Sequence, residues 1–181
     1  VVASVQRRLA PHGDARSVVE HDAGRGLLRR PPVRRLALLE RGPKDIIAQV
    51  RGHPVTAGHF AADVRSLIPK LPDATHCFNL LQDRYAFTVA FTAILAAGKI
   101  NLLPPNARKA VQARLAESFD GVAVLHDGTE VAPGLDALDL REVLAPPEQH
   151  PGTPPGSSTA LTADAAAIGA VTFTSGSTGE A

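Results

Sequence analysis

The stretch HCFNLLQDRYAFTVAFTAILAAGKINLLPPN, residues 76–106, decides the fold. Cys77-Phe78-Asn79-Leu80-Leu81 is an apolar run of strand length. Asp83 follows and can cap a helix over residues 84–97. That helix is apolar on most sides, which predicts burial. Gly98 stops it. Ile100-Asn101-Leu102-Leu103 then reads as a second strand, closed by Pro104-Pro105.

The pattern continues in both directions. Upstream, Ile46-Ile47-Ala48-Gln49-Val50 reads as a strand and Arg51-Gly52-His53-Pro54 as a turn. Thr56 can cap a helix over 57–70, with Phe60, Val64, Leu67 and Ile68 at helical spacing; Pro69 and Pro72 end it. Downstream, Asn106 is expected to cap a helix over 108–118 with Val111 and Leu115 on one face. Residues 121–125 form a fourth strand candidate, and His126-Asp127-Gly128 a turn. From Asp45 the order is β-α-β-α-β-α-β. Short strands alternating with helices predict an α/β fold, a mostly parallel sheet flanked by helices. Residues 132–160, rich in Pro and Gly, read as a long irregular connection, and residues 165–174 as a return to strand. No repeat of fixed period is present.

The 181 residues suffice for one domain with a core. Aromatics are 4%, so aliphatic side chains must fill most of it. The net charge of +1 argues against a nucleic-acid binder. Charge is uneven, however. Residues 1–41 hold nine Arg, no Lys and four acids, a net of +5, against −4 for the rest. Residues 1–42 therefore read as a basic, poorly patterned tail, and 43–181 as the folded unit. A phosphate- or membrane-seeking arm is the functional alternative for the tail. One Cys excludes an intrachain disulfide and a Cys-based zinc site, and fits a reducing compartment. The longest apolar stretch, residues 85–97, is too short to span a bilayer, which needs about 20 residues. With no secretory signal in view, the expectation is a cytoplasmic protein without a membrane span. The sequence has no Met and starts with Val1, which suggests a non-standard start or a cut N-terminus.

The last residues carry the chemistry. Val171-Thr172-Phe173-Thr174 runs into Ser175-Gly176-Ser177-Thr178-Gly179. Glycines permit positive φ and close backbone approach, so successive N–H groups can face an anion. The hydroxyls of Ser175, Ser177 and Thr178 add donors. A Walker loop is excluded, because Gly176 and Gly179 are too close and no Lys follows. The dinucleotide fingerprint and the serine-hydrolase elbow fail on spacing as well.

Thr174-Ser175-Gly176-Ser177-Thr178-Gly179 resembles the phosphate-binding motif of the adenylate-forming (AMP-binding) superfamily, which includes acyl- and aryl-CoA synthetases, adenylation domains and luciferases. That motif is roughly [ST]-[ST]-G-[ST]-T-G-x-P-K after a hydrophobic strand. Ala181 stands where Pro is usual. The section from His76 to Asn106 also looks like the family's early part, and its "NLLPPN" end is similar to the AMP-ligases of bacterial aryl-polyene pigment clusters. The resemblance covers about residues 38–181, the opening part of the large N-terminal domain. It implies a partial N-terminal domain of an adenylate-forming enzyme, and the following chemistry. A carboxylic acid attacks the α-phosphate of Mg²⁺-ATP, giving acyl-adenylate and pyrophosphate. The thiol of CoA or of an acyl carrier protein then takes the acyl group. Thr174, Ser175, Gly176, Ser177, Thr178 and Gly179 would hold ATP phosphates. The family's adenine and ribose motifs and its C-terminal catalytic Lys have no counterpart here. The chain is therefore expected to be an N-terminal fragment, inactive alone, with no catalytic or metal-binding residue of its own to name. The alternative is a non-catalytic α/β module or a truncated pseudogene product.

Other candidates have simpler readings. His53 and His59 are the nearest His pair and lack a carboxylate at helical zinc spacing, so they read as turn or surface residues. Cys77 reads as a buried small apolar residue. Asp83-Arg84 reads as a helix start, with a substrate gate as the functional alternative. Thr172 and Thr174 serve equally as strand formers.

Overall fold

The computed structural model describes residues 34–144 and 158–173. The chain enters through β1 (Arg35–Ala37), then makes a hairpin of β2 (Ile46–Val50) and β3 (His53–Thr56). Arg51 and Gly52 both take positive φ, 51° and 84°, the conformation a two-residue hairpin turn requires. Thr56 then caps α1 (Ala57–Leu67), its hydroxyl accepting from the His59 N–H at 3.3 Å. Ala57, Phe60, Ala61, Val64 and Leu67 make the buried stripe of α1. A short 3₁₀ turn at Ile68–Lys70 places Pro69 where it ends the helix.

The central unit follows as β4 (His76–Asn79), α2 (Arg84–Ala96), β5 (Ile100–Leu103), α3 (Lys109–Ala116), β6 (Val122–His126) and β7 (Asp136–Asp139). After residue 157 come β8 (Thr162–Asp164) and β9 (Ala170–Thr172). Five strands form one wholly parallel sheet in the order β7-β6-β4-β5-β9. The fold is thus α/β with a parallel sheet flanked by helices. α2 is held at both ends as the sequence demands. The Asp83 carboxylate accepts the Ala86 N–H at 2.8 Å, and Gly98 turns the chain away at φ 73°.

The two faces of the sheet build two cores. On one, Cys77 and Leu125 pack with Val64 and Leu67 of α1 and Val89, Ala90, Ala93 and Ile94 of α2. On the other, Leu102, Phe78 and Val124 stand side by side on β5, β4 and β6, each fully buried, with Leu115 and Ala116 of α3 against them. Buried on both faces, the central strands must be apolar throughout, which is why they read as unbroken runs.

Five expectations need correction. Strand 46–50 does not open the parallel sheet; it pairs antiparallel with β3, whose first two residues, His53 and Pro54, read as part of a turn. Residues 132–160 are not wholly irregular, because β7 extends the sheet beyond β6. The strand expected over 165–174 is confined to Ala170–Thr172, and β8 precedes it in a separate pairing. Asn106 does not cap α3; its side chain accepts from the Arg108 N–H, and Arg108 is the residue at the cap. Lastly, the end of the segment read as a tail is structured. β1 pairs antiparallel with β8, and Leu38 and Leu39 pack against the core. Residues 1–33 lie outside the described residues.

Candidate functional site

All five strands of the main sheet end at the same edge, and this carboxyl edge is where open α/β sheets hold ligands. β9 pairs parallel with β5, with Leu103 opposite Thr172, so the chain leaves β9 at that edge. The sequence-derived phosphate residues Thr174, Ser175, Gly176, Ser177, Thr178 and Gly179 lie outside the described residues. What is described is the ground around their point of departure.

β9 is held in place by a buried asparagine. The Asn101 side chain donates to the Phe91 carbonyl of α2 at 3.3 Å and to the Gly169 carbonyl at 3.2 Å, just before β9. Its backbone N–H also reaches Gly169 O. Asn79, one strand over, donates to the Phe87 carbonyl at 3.2 Å. Two polar side chains thus fasten α2 to β4 and β5 inside an apolar layer. Sequence reading absorbed both as strand residues, since a single Asn in an apolar run carries no signal of its partner.

The β6 side of the same edge is tightly knitted. The chain passes from β4 to β5 through α2 on one face, then back past β4 to β6 through α3 on the other. The reversal of winding falls between the carboxyl ends of β4 and β6. There Asp127 Oδ2 accepts the backbone N–H groups of Gln82 and Asp83 at 2.8 and 2.9 Å. The Thr129 hydroxyl donates to the Leu80 carbonyl at 3.2 Å. Further along, Arg141 donates to both carboxylate oxygens of Asp139, at 3.0 and 2.5 Å for the shortest contacts. These hydrogen bonds hold the Asp139 carboxyl down to about 2. Gly128 lies under this pair at φ 104°; a Cβ there would meet an Arg141 nitrogen at 2.8 Å.

Gln112 is the functional-looking residue that sequence reading missed. It is fully buried on α3, donates to the carbonyls of Ala107 and Glu130 at 2.7 and 2.9 Å, and accepts from the Ala132 N–H at 2.9 Å. It ties the connection between β6 and β7 to α3. A Gln in a short helix reads as a surface residue, so nothing in the pattern announces it.

The remaining candidates fall into place. Cys77 is fully buried, and burial pushes its thiol up to about 11, with Lys99 opposing. Asp83 caps α2, and Arg84 is its exposed first residue. His53 is exposed on β3, and His59 lies on α1. Among the described residues no group of three or more His, Cys, Asp and Glu is placed to hold a metal ion. No helix there is long and apolar enough to cross a membrane. A hollow of about 310 Å³, lined by Asp73, Lys99 and Gly121 among others, opens at the opposite, amino edge of the sheet. Comparison with family models, with curated proteins and with solved structures finds no match to this chain.

Proposed function

We propose that this chain carries the opening part of the large domain of an AMP-forming acid–thiol ligase, and that its segment 174–179 takes the phosphates of ATP. The observation that carries the reading is the string Thr174-Ser175-Gly176-Ser177-Thr178-Gly179 directly after a hydrophobic strand. Support comes also from β9, a strand of the parallel sheet that ends at its carboxyl edge. Hydroxyls and glycine backbone are a donor set suited to phosphate oxygens and poorly suited to apolar ligands. Mg²⁺, when bound with ATP, would neutralise charge on the leaving pyrophosphate.

Under this reading a carboxylic acid is activated as its adenylate and passed to the thiol of CoA or of a carrier protein. The residues of this chain bind and orient phosphate and exclude water; the groups that contact adenine and acyl chain belong to family motifs that these 181 residues do not contain. The 181-residue chain by itself is expected to bind Mg²⁺-ATP weaker than micromolar and to exchange no pyrophosphate. Calorimetric titration and an ATP–pyrophosphate exchange assay test this, run beside the same chain extended by any reading frame found to continue past Ala181. Exchange by the extended chain that depends on an added carboxylic acid supports the reading. Its absence across a panel of acyl and aryl acids supports a non-catalytic α/β module instead.

A further inference from the structure

We infer that Asn101 and Gly169 form a lock that fixes the register of β9 on β5, and with it the point at which the chain leaves the sheet. The lock stands without the acid-ligase reading; under that reading Asn101 is a positioning residue, acting only through β9.

β9 needs such a device. It has three residues and, among the described residues, one ladder partner. Around it Ala165-Ala166-Ala167-Ile168-Gly169-Ala170-Val171-Thr172-Phe173 carries no charge and little alternation, so the pattern specifies register weakly. The observed pairs are Asn101 with Ala170, Leu102 with Val171 and Leu103 with Thr172. A slip of two residues, with Thr172 opposite Asn101, would keep every side chain on its face. Phe173 would then take the place of Val171, and both are apolar residues that pack against the same core. Apolar burial alone does not reject that register.

Two features at Gly169 reject it. The first is polar. Asn101 is fully buried, and its Nδ2 donates to the Phe91 carbonyl of α2 at 3.3 Å and to the Gly169 carbonyl at 3.2 Å. The Asn101 backbone N–H donates to the same Gly169 carbonyl at 3.3 Å. Both protons of the amide thus meet carbonyls, and Oδ1 is left buried with no partner among the described residues. Burying an Asn in this way is unfavourable inside an apolar layer, and its best-attested use is to specify one pairing over others. The second feature is steric. The amide holds the Gly169 backbone against α2, where a Cβ would come within 3.3 Å of Leu95 Cδ2. Phe91 and Leu95 are one helical turn apart, so the grip and the wall belong to one face of α2. The slipped register would put Val171 against Leu95. The opposite slip would put Ala167 there, and Gly169 in the place of Val171 in the core. Gly169 is the only glycine among residues 158–173, so a single register satisfies both features.

The test uses the full chain without ligand, so the lock and the acid-ligase reading fail separately. NMR should show one set of cross-strand contacts, joining Asn101 to Ala170 and Leu103 to Thr172, and slow exchange of both Asn101 side-chain amide protons. In Asn101→Leu the Gly169 carbonyl keeps the backbone N–H of residue 101, so stability in denaturant should change little. Exchange at the β9 amides should nevertheless rise by about tenfold or more, with β4 and β6 unchanged. A second set of contacts, joining residue 102 to Phe173, should appear beside the first. Rapid exchange of the Asn101 side chain in the native chain would overturn the lock. So would a variant that keeps one register with native exchange, or one in which exchange rises equally at β4 and β6. Should Asn101→Leu fail to fold, Gly169→Ala decides. Gly169 does not take positive φ, so the added methyl meets only the wall at Leu95. Exchange at the β9 amides and the Asn101 side chain should rise by about tenfold; unchanged exchange there would overturn the lock.

Discussion

Single side chains in this molecule act mainly by spending hydrogen-bonding groups inside an otherwise aliphatic core. Gln112 is the clearest case. Replacing it by Ala strands two carbonyls and one N–H and leaves a cavity, so Gln112→Ala should cost about 3 kcal/mol in denaturant unfolding. A loss under about 1 kcal/mol would mean that water or a neighbour replaces the amide. Cys77 should resist thiol reagents in the folded state, because it is buried and its thiol is pushed up to about 11. Rapid labelling of folded protein would contradict the placement. Asp139 supplies a pH dependence. Its carboxyl is lowered in the folded state, so its contribution is full above the ordinary carboxylate value of about 4 and is lost as pH falls through about 2. Arg141→Ala should return the Asp139 carboxyl toward its ordinary value, read by NMR titration. An unchanged value would assign the shift to something other than the guanidinium.

At the level of elements, legibility followed from how much of an element's stability is local. α2 declares itself through an apolar run between Asp83 and Gly98, and the structure uses both residues as punctuation. β5 and β6 declare themselves because a strand covered on both faces must be apolar. β7 does not. Asp136-Ala137-Leu138-Asp139 carries acids at both ends, and only its ladder with β6 makes it a strand. β3 was hidden by Pro54, which a two-stranded ladder tolerates because one edge faces outward. The cap of α3 was misplaced because Asn106 bonds two residues on, an Asx turn that competes with capping. The link between α1 and α2 was equally invisible: the Tyr85 hydroxyl donates to Asp63 at 2.5 Å, twenty-two residues away. Tyr85→Phe should destabilise the protein by roughly 1–2 kcal/mol, since it removes a half-buried bond to a carboxylate. Equal stability of the two proteins would show that the bond is no stronger than the water contacts it replaces.

On the scale of the whole molecule, the long-range pairing of β1 with β8 binds the start of the described chain to its far end. Leu38 N–H also bonds the Leu161 carbonyl at 2.8 Å, and the Arg35 guanidinium donates to the Thr162 hydroxyl at 2.7 Å. Removing residues 1–41 should therefore lower the melting temperature by several degrees, about what a loss of 1–2 kcal/mol produces in a domain of this size. An unchanged melting temperature would show that this ladder adds nothing to stability. The carboxyl edge of the sheet was inferable from the alternation of strands and helices; the bond from Asp127 to the Gln82 and Asp83 amides was not, because Asp127 reads only as part of a turn. The claim that ties these scales together is that phosphate meets the chain where it leaves β9. Backbone amide shifts of the full chain during titration with millimolar Mg²⁺-pyrophosphate test it most directly. The account predicts movement of the Ser175, Gly176, Ser177, Thr178 and Gly179 amides. Silence at residues 175–179, with movement elsewhere or nowhere, would contradict it.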